Sequence, residues 1–353
     1  MGLLKALLLA VLGGVVFKFL HIPLPWTLGP IAAISITSFY FHRRIYWPIR
    51  IRNTAMILLG YEMGRPFTLE TGQAILSQFP LMLLATLGTV SAGILTGWFM
   101  YKKTGIGLTS CLLGCVPGGL SQMVILADEM EGTDATAVTI MQTIRMLSVV
   151  FVVPFLAMYC LPSPQDGGTA AQSYSAADLY TIGLFAMVAI AGAIVGKWMH
   201  LPTATLLGPI LSTGAFVLLS GGTAAPIVPT LYLNMAQVCV GTYIGSSINL
   251  HKLKQYHGMG SCLFLGVFFV LGVSLLMGFL VTCFTRASFA TAFLSTAPGG
   301  LAEMGITALV IGADISAMTA YQLVRLLFIM LLFPYIARFI VYCHEKKDGR
   351  KVS

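Results

Sequence analysis

The second half of the chain repeats motifs of the first half at an offset of about 180 residues. The stretch HIPLPWTLGPI at 21–31 recurs as HLPTATLLGPI at 200–210, and VPGGLSQM at 116–123 recurs as APGGLAEM at 297–304. Further matched pairs are Asn53 and Asn234, Gly60 and Gly241, Gly64 and Gly245, Asp134 and Asp314, Gln142 and Gln322, and Arg145 and Arg325. Ordered blocks at a nearly constant offset predict two copies of one structural unit.

One long polar stretch marks the boundary between the two copies. Residues 161–177 read LPSPQDGGTAAQSYSAA, and this content of Pro, Gly and Ser is typical of a linker. The predicted organisation is therefore a first membrane repeat at 1–160, a linker at 161–177, a second membrane repeat at 178–343 and a basic cytoplasmic tail at 344–353.

The composition indicates that both copies lie in a membrane. Of the 353 residues, 57% are hydrophobic and only 9% are charged, whereas about 25% of the residues of a soluble domain are charged. Apolar segments recur along the whole chain, so an all-α polytopic membrane protein is predicted. The segments cover 3–20, 26–41, 49–64, 73–101, 105–127 and 135–160 in the first half, and 178–199, 203–220, 227–248, 258–285, 287–312 and 315–341 in the second.

The first apolar segment also has features of a signal peptide, because Lys5 precedes an apolar stretch. No A-x-A-like cleavage site follows it, and the segment has a counterpart in the second repeat. It is therefore expected to remain as the first helix.

Positive charge in the loops predicts how the copies are oriented, since Lys and Arg concentrate on the cytoplasmic side. Loop 42–52 is rich in Arg, and its counterpart at 221–226 has no charge. The bias is reversed at the next loop, where HKLK at 251–254 is more basic than 65–72. Corresponding loops are thus expected on opposite sides, so the repeats are predicted to be inverted, with both termini cytoplasmic.

In inverted repeats, the chain crosses the membrane an odd number of times between a residue and its counterpart in the other half. Each half has six apolar segments, and six full crossings would be an even number. The conflict disappears if the fifth segment of each half, at 105–130 and 287–312, enters and leaves on one side. The sequence then predicts about ten transmembrane helices plus two re-entrant or broken helices at the Pro-Gly-Gly motifs. Twelve full crossings are the alternative, because a broken helix can also cross a membrane.

The Pro-Gly-Gly motifs are predicted to form the functional site. Pro and Gly break a helix, and lipid cannot satisfy the freed backbone groups, so a break survives only inside protein or beside a wet cavity. Paired broken helices in two repeats are typical of a transporter binding site, whereas a kink between closely packed helices is the alternative. The candidate substrate-binding residues are Pro117, Gly118, Gly119, Ser121, Gln122, Pro298, Gly299, Gly300, Glu303, Gln142, Arg145, Gln322 and Arg325.

Arg145 and Arg325 lie within apolar segments, each three residues after a Gln that shares its helix face. A charge at this depth is costly unless it is paired. One interpretation is a structural ion pair with an acidic residue near the first break, such as Asp128 or Glu129. The other is that the arginines anchor an anionic substrate.

One difference between the two Pro-Gly-Gly motifs adds an ionisable group, because Glu303 takes the place of Gln122. An ionised carboxylate at the membrane centre costs about 2.5–3.5 kcal/mol on insertion scales, so a cavity is expected around it. Glu303 is a candidate to carry a coupling H⁺ or to ligate a coupling Na⁺. A neutral, protonated packing role is the alternative.

No metal or other cofactor is predicted. Only Cys111 and Cys115 among the seven Cys are close in sequence, no His accompanies this pair, and the six His are scattered near segment ends. A nucleic-acid partner is not expected either, because the Lys and Arg residues behind the net charge of +8 cluster in short loops and at the C-terminal end, as topology signals do.

The doubled H-[IL]-P…LGPI and P-G-G-L…M blocks resemble the AbrB-duplication membrane protein family over nearly the whole chain. Members of that family are often labelled ammonia monooxygenases or AbrB regulators, and regulatory and transport roles have both been suggested for it. The resemblance implies a duplicated, multi-pass protein of the bacterial inner membrane. The scattered His residues do not fit a monooxygenase, and no soluble segment fits a DNA-binding regulator.

The predicted function is secondary transport of a small anionic organic solute coupled to H⁺ or Na⁺, with the site between the two Pro-Gly-Gly tips. The expected partners are this solute and membrane lipids, and assembly into a homo-oligomer stays open. No enzymatic activity is expected. The alternatives are a membrane ligand sensor or regulatory protein that uses the same pocket without transport and, less favoured, a membrane-bound oxidoreductase.

Overall fold

The protein is built of α-helices. A computed structural model describes residues 3–41, 45–67, 69–130, 132–161, 179–201, 203–220, 225–248 and 260–347. These residues include no β-strand, which confirms the predicted all-α class. The helices are α1 (Leu3–Phe19), α2 (Pro25–Tyr40), α3 (Ile49–Gly64), α4 (Leu69–Ser77), α5 (Phe79–Thr104), α6 (Leu108–Cys115), α7 (Leu120–Glu129), α8 (Ala135–Phe155, followed by a π-helical turn at Leu156–Cys160), α9 (Leu179–Trp198), α10 (Ala204–Leu219), α11 (Thr230–Ser247), α12 (Gly260–Phe284), α13 (Phe289–Thr296), α14 (Leu301–Ile311) and α15 (Ile315–Lys347).

Several predicted segments lie outside the described residues. They are nearly all of the linker at 161–177, the basic residues 42–44, the HKLK stretch at 251–254, most of loop 221–226 and the end of the tail from 348.

Five of the described helices are long and apolar enough to cross a membrane. They are Phe79–Thr104, Ala135–Cys160, Tyr180–Trp198, Gly260–Phe284 and Ile315–His344. By comparison, α2, α3 and α10 have 16 residues each, which is about 24 Å of helix against a hydrocarbon core of about 30 Å. The apolar helices indicate a multi-pass membrane protein, and the number of ten crossings stays a prediction.

The structure divides one predicted segment into two helices and extends the last predicted segment. The predicted segment 73–101 is divided into α4 and α5 by a turn at Gln78. Pro80 lies in the first turn of α5, where its missing N–H would have no helical partner in any case. The final helix continues to Lys347, so the first residues of the predicted tail at 344–353 are helical.

The chain forms two compact units, and each unit takes helices from both halves of the sequence. Unit 1 comprises Met1–Gln78, Pro154–His251 and Ala302–Thr319, and unit 2 comprises Phe79–Val153, Lys252–Leu301 and Ala320–Ser353. Unit 1 thus holds α1–α3 and their counterparts α9–α11. Unit 2 holds α5–α7 and nearly all of α8, together with α12, α13 and most of α15.

Within unit 1, helices of the two halves pack on each other through glycine. A β-carbon added at Gly60 of α3 would lie 2.5 Å from the Leu206 carbonyl oxygen of α10. At the matched position, a β-carbon at Gly241 of α11 would lie 2.5 Å from the Thr27 carbonyl oxygen of α2. Such close backbone contact is typical of small residues between membrane helices. The third helix of each half therefore packs on the second helix of the other half.

The matched motifs that precede α2 and α10 share their backbone conformation. His21 and His200 both have a φ of 54°, and Leu24 and Thr203 both have a φ of 48°. A left-handed conformation is uncommon for residues other than Gly. Its occurrence at two matched pairs supports the interpretation that both halves follow one structural plan.

We expect Gly241→Ala to destabilise the protein by about 1–3 kcal/mol, because the added β-carbon would push α11 away from the backbone of α2. Gly272→Ala is the matched control, since a β-carbon at Gly272 meets no atom within 4 Å. Thermal unfolding of the detergent-purified variants measures both effects. Equal unfolding midpoints would contradict the packing of α11 on α2.

Candidate functional site

The two Pro-Gly-Gly motifs lie in unit 2, and each separates two half-helices. In the first half, α6 ends at Cys115 and α7 begins at Leu120. In the second half, α13 ends at Thr296 and α14 begins at Leu301. Each break leaves the last carbonyl groups of one half-helix and the first N–H groups of the next without partners in the helix.

Side chains of α8 bind the carbonyl groups at the first break. The Gln142 side-chain amide donates to the Leu113 carbonyl oxygen over 2.7 Å and to the Val116 carbonyl oxygen over 3.0 Å. Arg145 donates from Nη1 to the same Val116 oxygen over 2.6 Å and from Nη2 to the Gly118 oxygen over 3.3 Å. Gln142 and Arg145 thus both donate hydrogen bonds to carbonyl groups at the C-terminal end of α6.

The matched side chains of α15 repeat this arrangement at the second break. The Gln322 amide donates to the Leu294 and Ala297 carbonyl oxygens over 2.8 and 3.2 Å. Arg325 donates from Nη1 to the Ala297 oxygen over 2.5 Å and from Nη2 to the Gly299 oxygen over 3.1 Å. It also donates to the Gln322 side-chain oxygen.

The arginines therefore have a function that neither sequence-based interpretation named. Among the described residues, Arg145 forms no ion pair with Asp128 or Glu129, and its bonded partners are backbone carbonyls. The carbonyl end of a helix carries a partial charge of about −0.5, so a cation is favourable there. Arg145 and Arg325 cap the first half-helix of each broken segment.

The two ends of the first broken segment lie close together. The Asp134 backbone N–H donates to Ser110 Oγ over 2.8 Å, and a β-carbon at Gly107 would lie 3.6 Å from the Gly132 carbonyl oxygen. The start of α8 is thus beside the start of α6, and Gln142, further along α8, reaches the end of α6. Because α6 and α8 run in the same direction, α7 leads the chain back to the level at which α6 began.

One long helix of unit 2 contacts each break. A β-carbon at Gly93 of α5 would lie 2.9 Å from Val116 Cα at the first break. At the second break, Thr296 Oγ1 donates to the Ser274 carbonyl oxygen of α12 over 2.8 Å. The first break therefore packs on the middle of α5, and the second break packs on the middle of α12.

The helices α5 and α12 pack on each other in opposite directions. Near one end of the contact Gly88 lies beside Met277, and near the other Thr96 lies beside Gly266. Gly93 of α5, at the first break, and Ser274 of α12, at the second break, therefore lie at the same height along the two helices, to within about one helical turn. This crossing brings the two Pro-Gly-Gly breaks to a common level in unit 2.

The arginines at the two breaks are both buried, and their charges act on each other. Arg145 is 8% exposed and Arg325 is 5% exposed. The positive charge of Arg145 opposes that of Arg325, which is unfavourable for two buried cations. Among the described residues, no acidic side chain forms an ion pair with either guanidinium. The breaks of unit 2 therefore form a positively charged, buried region.

Several polar atoms at the first break have unused hydrogen-bonding capacity. Arg145 Nε, Gln142 Oε1 and Gln122 Oε1 are buried and have no partner among the described residues. A small pocket beside Arg145 and Cys115 has room for about one water molecule. The side chain of Ser121, another predicted site residue, lies outside those that the structure describes.

Glu303 lies in unit 1, in the first turn of α14. Its side chain is 8% exposed, and the positive charge of Arg52 in α3 acts on it. The N-terminal end of a helix favours a negative charge in its first turn. Two residues further on, Gly305 lies against Met63 of α3, so α14 packs on α3 within unit 1.

Known proteins resemble this chain over most of its length. The family profile described as "Transition state regulatory protein AbrB" matches residues 26–341. The chain belongs to the AbrB family. It is 27% identical over 341 residues to "Putative regulator AbrB" of Escherichia coli (strain K12), with 97% of each chain covered. It is 26% identical over 315 residues to "Uncharacterized protein YhjN" of Bacillus subtilis (strain 168), with 84% of this chain and 80% of that protein covered.

The match confirms the family that the doubled motifs indicate. Sequence reasoning missed two residues of this AbrB family member that contact the breaks, Gly93 and Ser274. They occupy matched positions, 181 residues apart, within the long apolar helices α5 and α12. A small residue at the same place in both repeats is the signal that could have found them, because small residues let membrane helices approach other backbone.

Proposed function

We propose that this AbrB family member is a secondary transporter of a small anionic organic solute, which binds at the two Pro-Gly-Gly breaks and moves together with H⁺ or Na⁺. The main support for the proposal is the pair of buried arginines at the breaks, Arg145 and Arg325. Both bind backbone carbonyls, and neither has an acidic partner among the described residues.

The charge balance at the breaks favours an anion. Each guanidinium carries one positive charge, and the carbonyl end of the half-helix that it caps offers about −0.5. An excess positive charge of about +0.5 therefore remains at each of the two buried caps. Since an uncompensated buried charge is unfavourable, a negatively charged solute would be stabilised there.

The polar atoms at the first break support a binding cavity over a dry kink. Gln122, Gln142 and Arg145 each have a buried atom without a hydrogen-bond partner among the described residues. A kink that only serves packing would be expected to have its polar atoms satisfied. Broken backbone at membrane depth is tolerated where it lines a wet cavity, and paired breaks in two repeats are typical of transporter sites.

The arrangement of α6, α7 and α8 supports a re-entrant hairpin in the membrane. Ser110 at the start of α6 binds Asp134 at the start of α8, so the chain returns to its starting level through α7. A re-entrant hairpin in each half gives an odd number of crossings and hence the inverted repeats that the loop charges predict.

We expect cysteines introduced as Lys103→Cys and Glu129→Cys, in a Cys-free background, to be labelled from the same side of the membrane, the cytoplasmic side. Gln78→Cys, before the start of α5, is the matched control and should be labelled from the opposite side. A membrane-impermeant maleimide applied to oriented vesicles measures this. Labelling of Lys103→Cys and Glu129→Cys from opposite sides would show that the α6–α7 segment crosses the membrane fully.

Among the two coupling ions, the contacts favour H⁺. Na⁺ at a broken helix is held by free backbone carbonyls. Here the carbonyls of Val116, Gly118, Ala297 and Gly299 already accept hydrogen bonds from arginine. Glu303, a buried carboxyl group close in sequence to the second break, is the proposed proton carrier.

A regulatory function is the second candidate, because the E. coli relative carries the name of a regulator. In that case the same buried arginines would bind a ligand, and the bound state would be read by another protein without transport. Uptake by proteoliposomes distinguishes the two functions. Accumulation of an anionic solute that depends on a H⁺ or Na⁺ gradient supports the transporter, whereas binding without uptake supports the regulator.

A further inference from the structure

The two arginines of unit 2 are equivalent members of a repeated arrangement. Each follows a Gln by three residues and caps the half-helix before a Pro-Gly-Gly break. The crossing of α5 and α12 brings the two breaks to one level, and the charges of Arg145 and Arg325 act on each other there. A ligand between the breaks therefore meets two similar cationic groups, one from each half.

The arginines keep donors for a ligand after capping the half-helices. A guanidinium has five N–H donors. Arg145 uses two of them on the Val116 and Gly118 carbonyls, which leaves three, including the unpartnered Nε. Arg325 makes four hydrogen bonds, to Thr296, Ala297, Gly299 and Gln322, which leaves one. Both sides of the site can thus donate to an anionic group, and the first break offers more donors.

We propose that the solute is a two-ended dianion, a short dicarboxylate, with one carboxylate directed to Arg145 and the other to Arg325. This inference rests on the proposed anionic site at the breaks. A solute with one anionic group would contact one of the two guanidinium groups and leave the excess positive charge at the other cap. A dicarboxylate would place one carboxylate against each guanidinium, with a charge-assisted hydrogen bond to each.

The test measures dissociation constants on the detergent-purified full chain, by ligand-dependent shifts in thermal unfolding. The probes are malonate, succinate, glutarate and adipate, the monomethyl ester of each as a singly charged ligand of equal length, and sulfate as a compact dianion. At least one dicarboxylate is expected to bind about tenfold or more tightly than its own monoester, because a second charge-assisted contact is gained. The length of the best ligand then reports the separation of the two arginines.

Arg325→Gln is expected to remove this preference, so that the dicarboxylate binds no better than its monoester. Lys103→Gln removes an exposed cation elsewhere in unit 2. It should leave the ratio of the monoester and dicarboxylate dissociation constants unchanged. If Arg325→Gln does not fold, the same ratio of dissociation constants, measured on the wild-type protein, still tests whether the site prefers a dicarboxylate.

Three results would overturn the inference. Equal affinity for a dicarboxylate and its monoester would show a site for one anionic group and leave the proposed function standing. Sulfate binding as tightly as the best dicarboxylate would show a compact dianion site. Absence of binding by every dicarboxylate, monoester and sulfate would contradict the anionic site itself, and the proposed function with it.

Discussion

Replacing both arginines with glutamine, as Arg145→Gln with Arg325→Gln, is expected to abolish anion binding and solute uptake. Each single substitution should weaken binding by about tenfold or more, because a charge-assisted contact is lost. A glutamine amide can still donate to one carbonyl of the break, so part of the helix cap remains. Thermal-shift binding and proteoliposome uptake measure the effect on folded, purified protein.

Lysine at the same positions separates charge from capping. Arg145→Lys keeps the positive charge but loses the planar donor set that binds Val116 and Gly118 together. We expect it to lower the unfolding midpoint while part of the anion binding is kept. If the glutamine variants fold and transport normally, the arginines only cap the half-helices, and the anionic solute loses its main support.

Glu303→Gln is expected to abolish accumulation driven by a H⁺ gradient while leaving solute exchange partly intact. The substitution gives the second motif, at this position, the same residue type as its counterpart Gln122 in the first motif. A buried glutamine fills the same space but carries no proton, so the solute can move without coupling. Proteoliposomes with an imposed pH gradient measure accumulation, and preloaded vesicles measure exchange.

Glu129→Gln is the matched control, since Glu129 is an exposed carboxylate at the end of α7. It should leave accumulation and exchange unchanged. Normal accumulation by Glu303→Gln under the same gradient would remove Glu303 from the coupling mechanism and assign it to packing in unit 1.

The helices and their breaks could be predicted from sequence because each has a strong local signal. A Pro-Gly-Gly motif within a long apolar run has few alternatives to an interrupted helix, and its repetition after 181 residues makes chance an unlikely source. The spacing of Gln142 and Arg145 also predicted that both side chains act on one helix face. Their placement at the first break agrees with that expectation.

The partners of these side chains could not be read from the sequence. Arg145 binds backbone carbonyls, and every residue carries a carbonyl, so no pattern of side chains marks them. Which helices form each of the two units could not be predicted, for a similar reason. The contacts of Gly60 with Leu206 and of Gly241 with Thr27 join residues far apart in the chain, and only close backbone approach reveals them.

A solute pathway through the Pro-Gly-Gly breaks requires that water reaches the first break from both sides of the membrane. A cysteine introduced as Gln122→Cys in a Cys-free background should react with a membrane-impermeant thiosulfonate from either side of the membrane, and solute should slow the reaction. Leu265→Cys, at a residue 63% exposed on the apolar helix α12, is the control and should stay unlabelled. Reaction of Gln122→Cys from one side only, or from neither, would contradict a solute pathway through the Pro-Gly-Gly breaks.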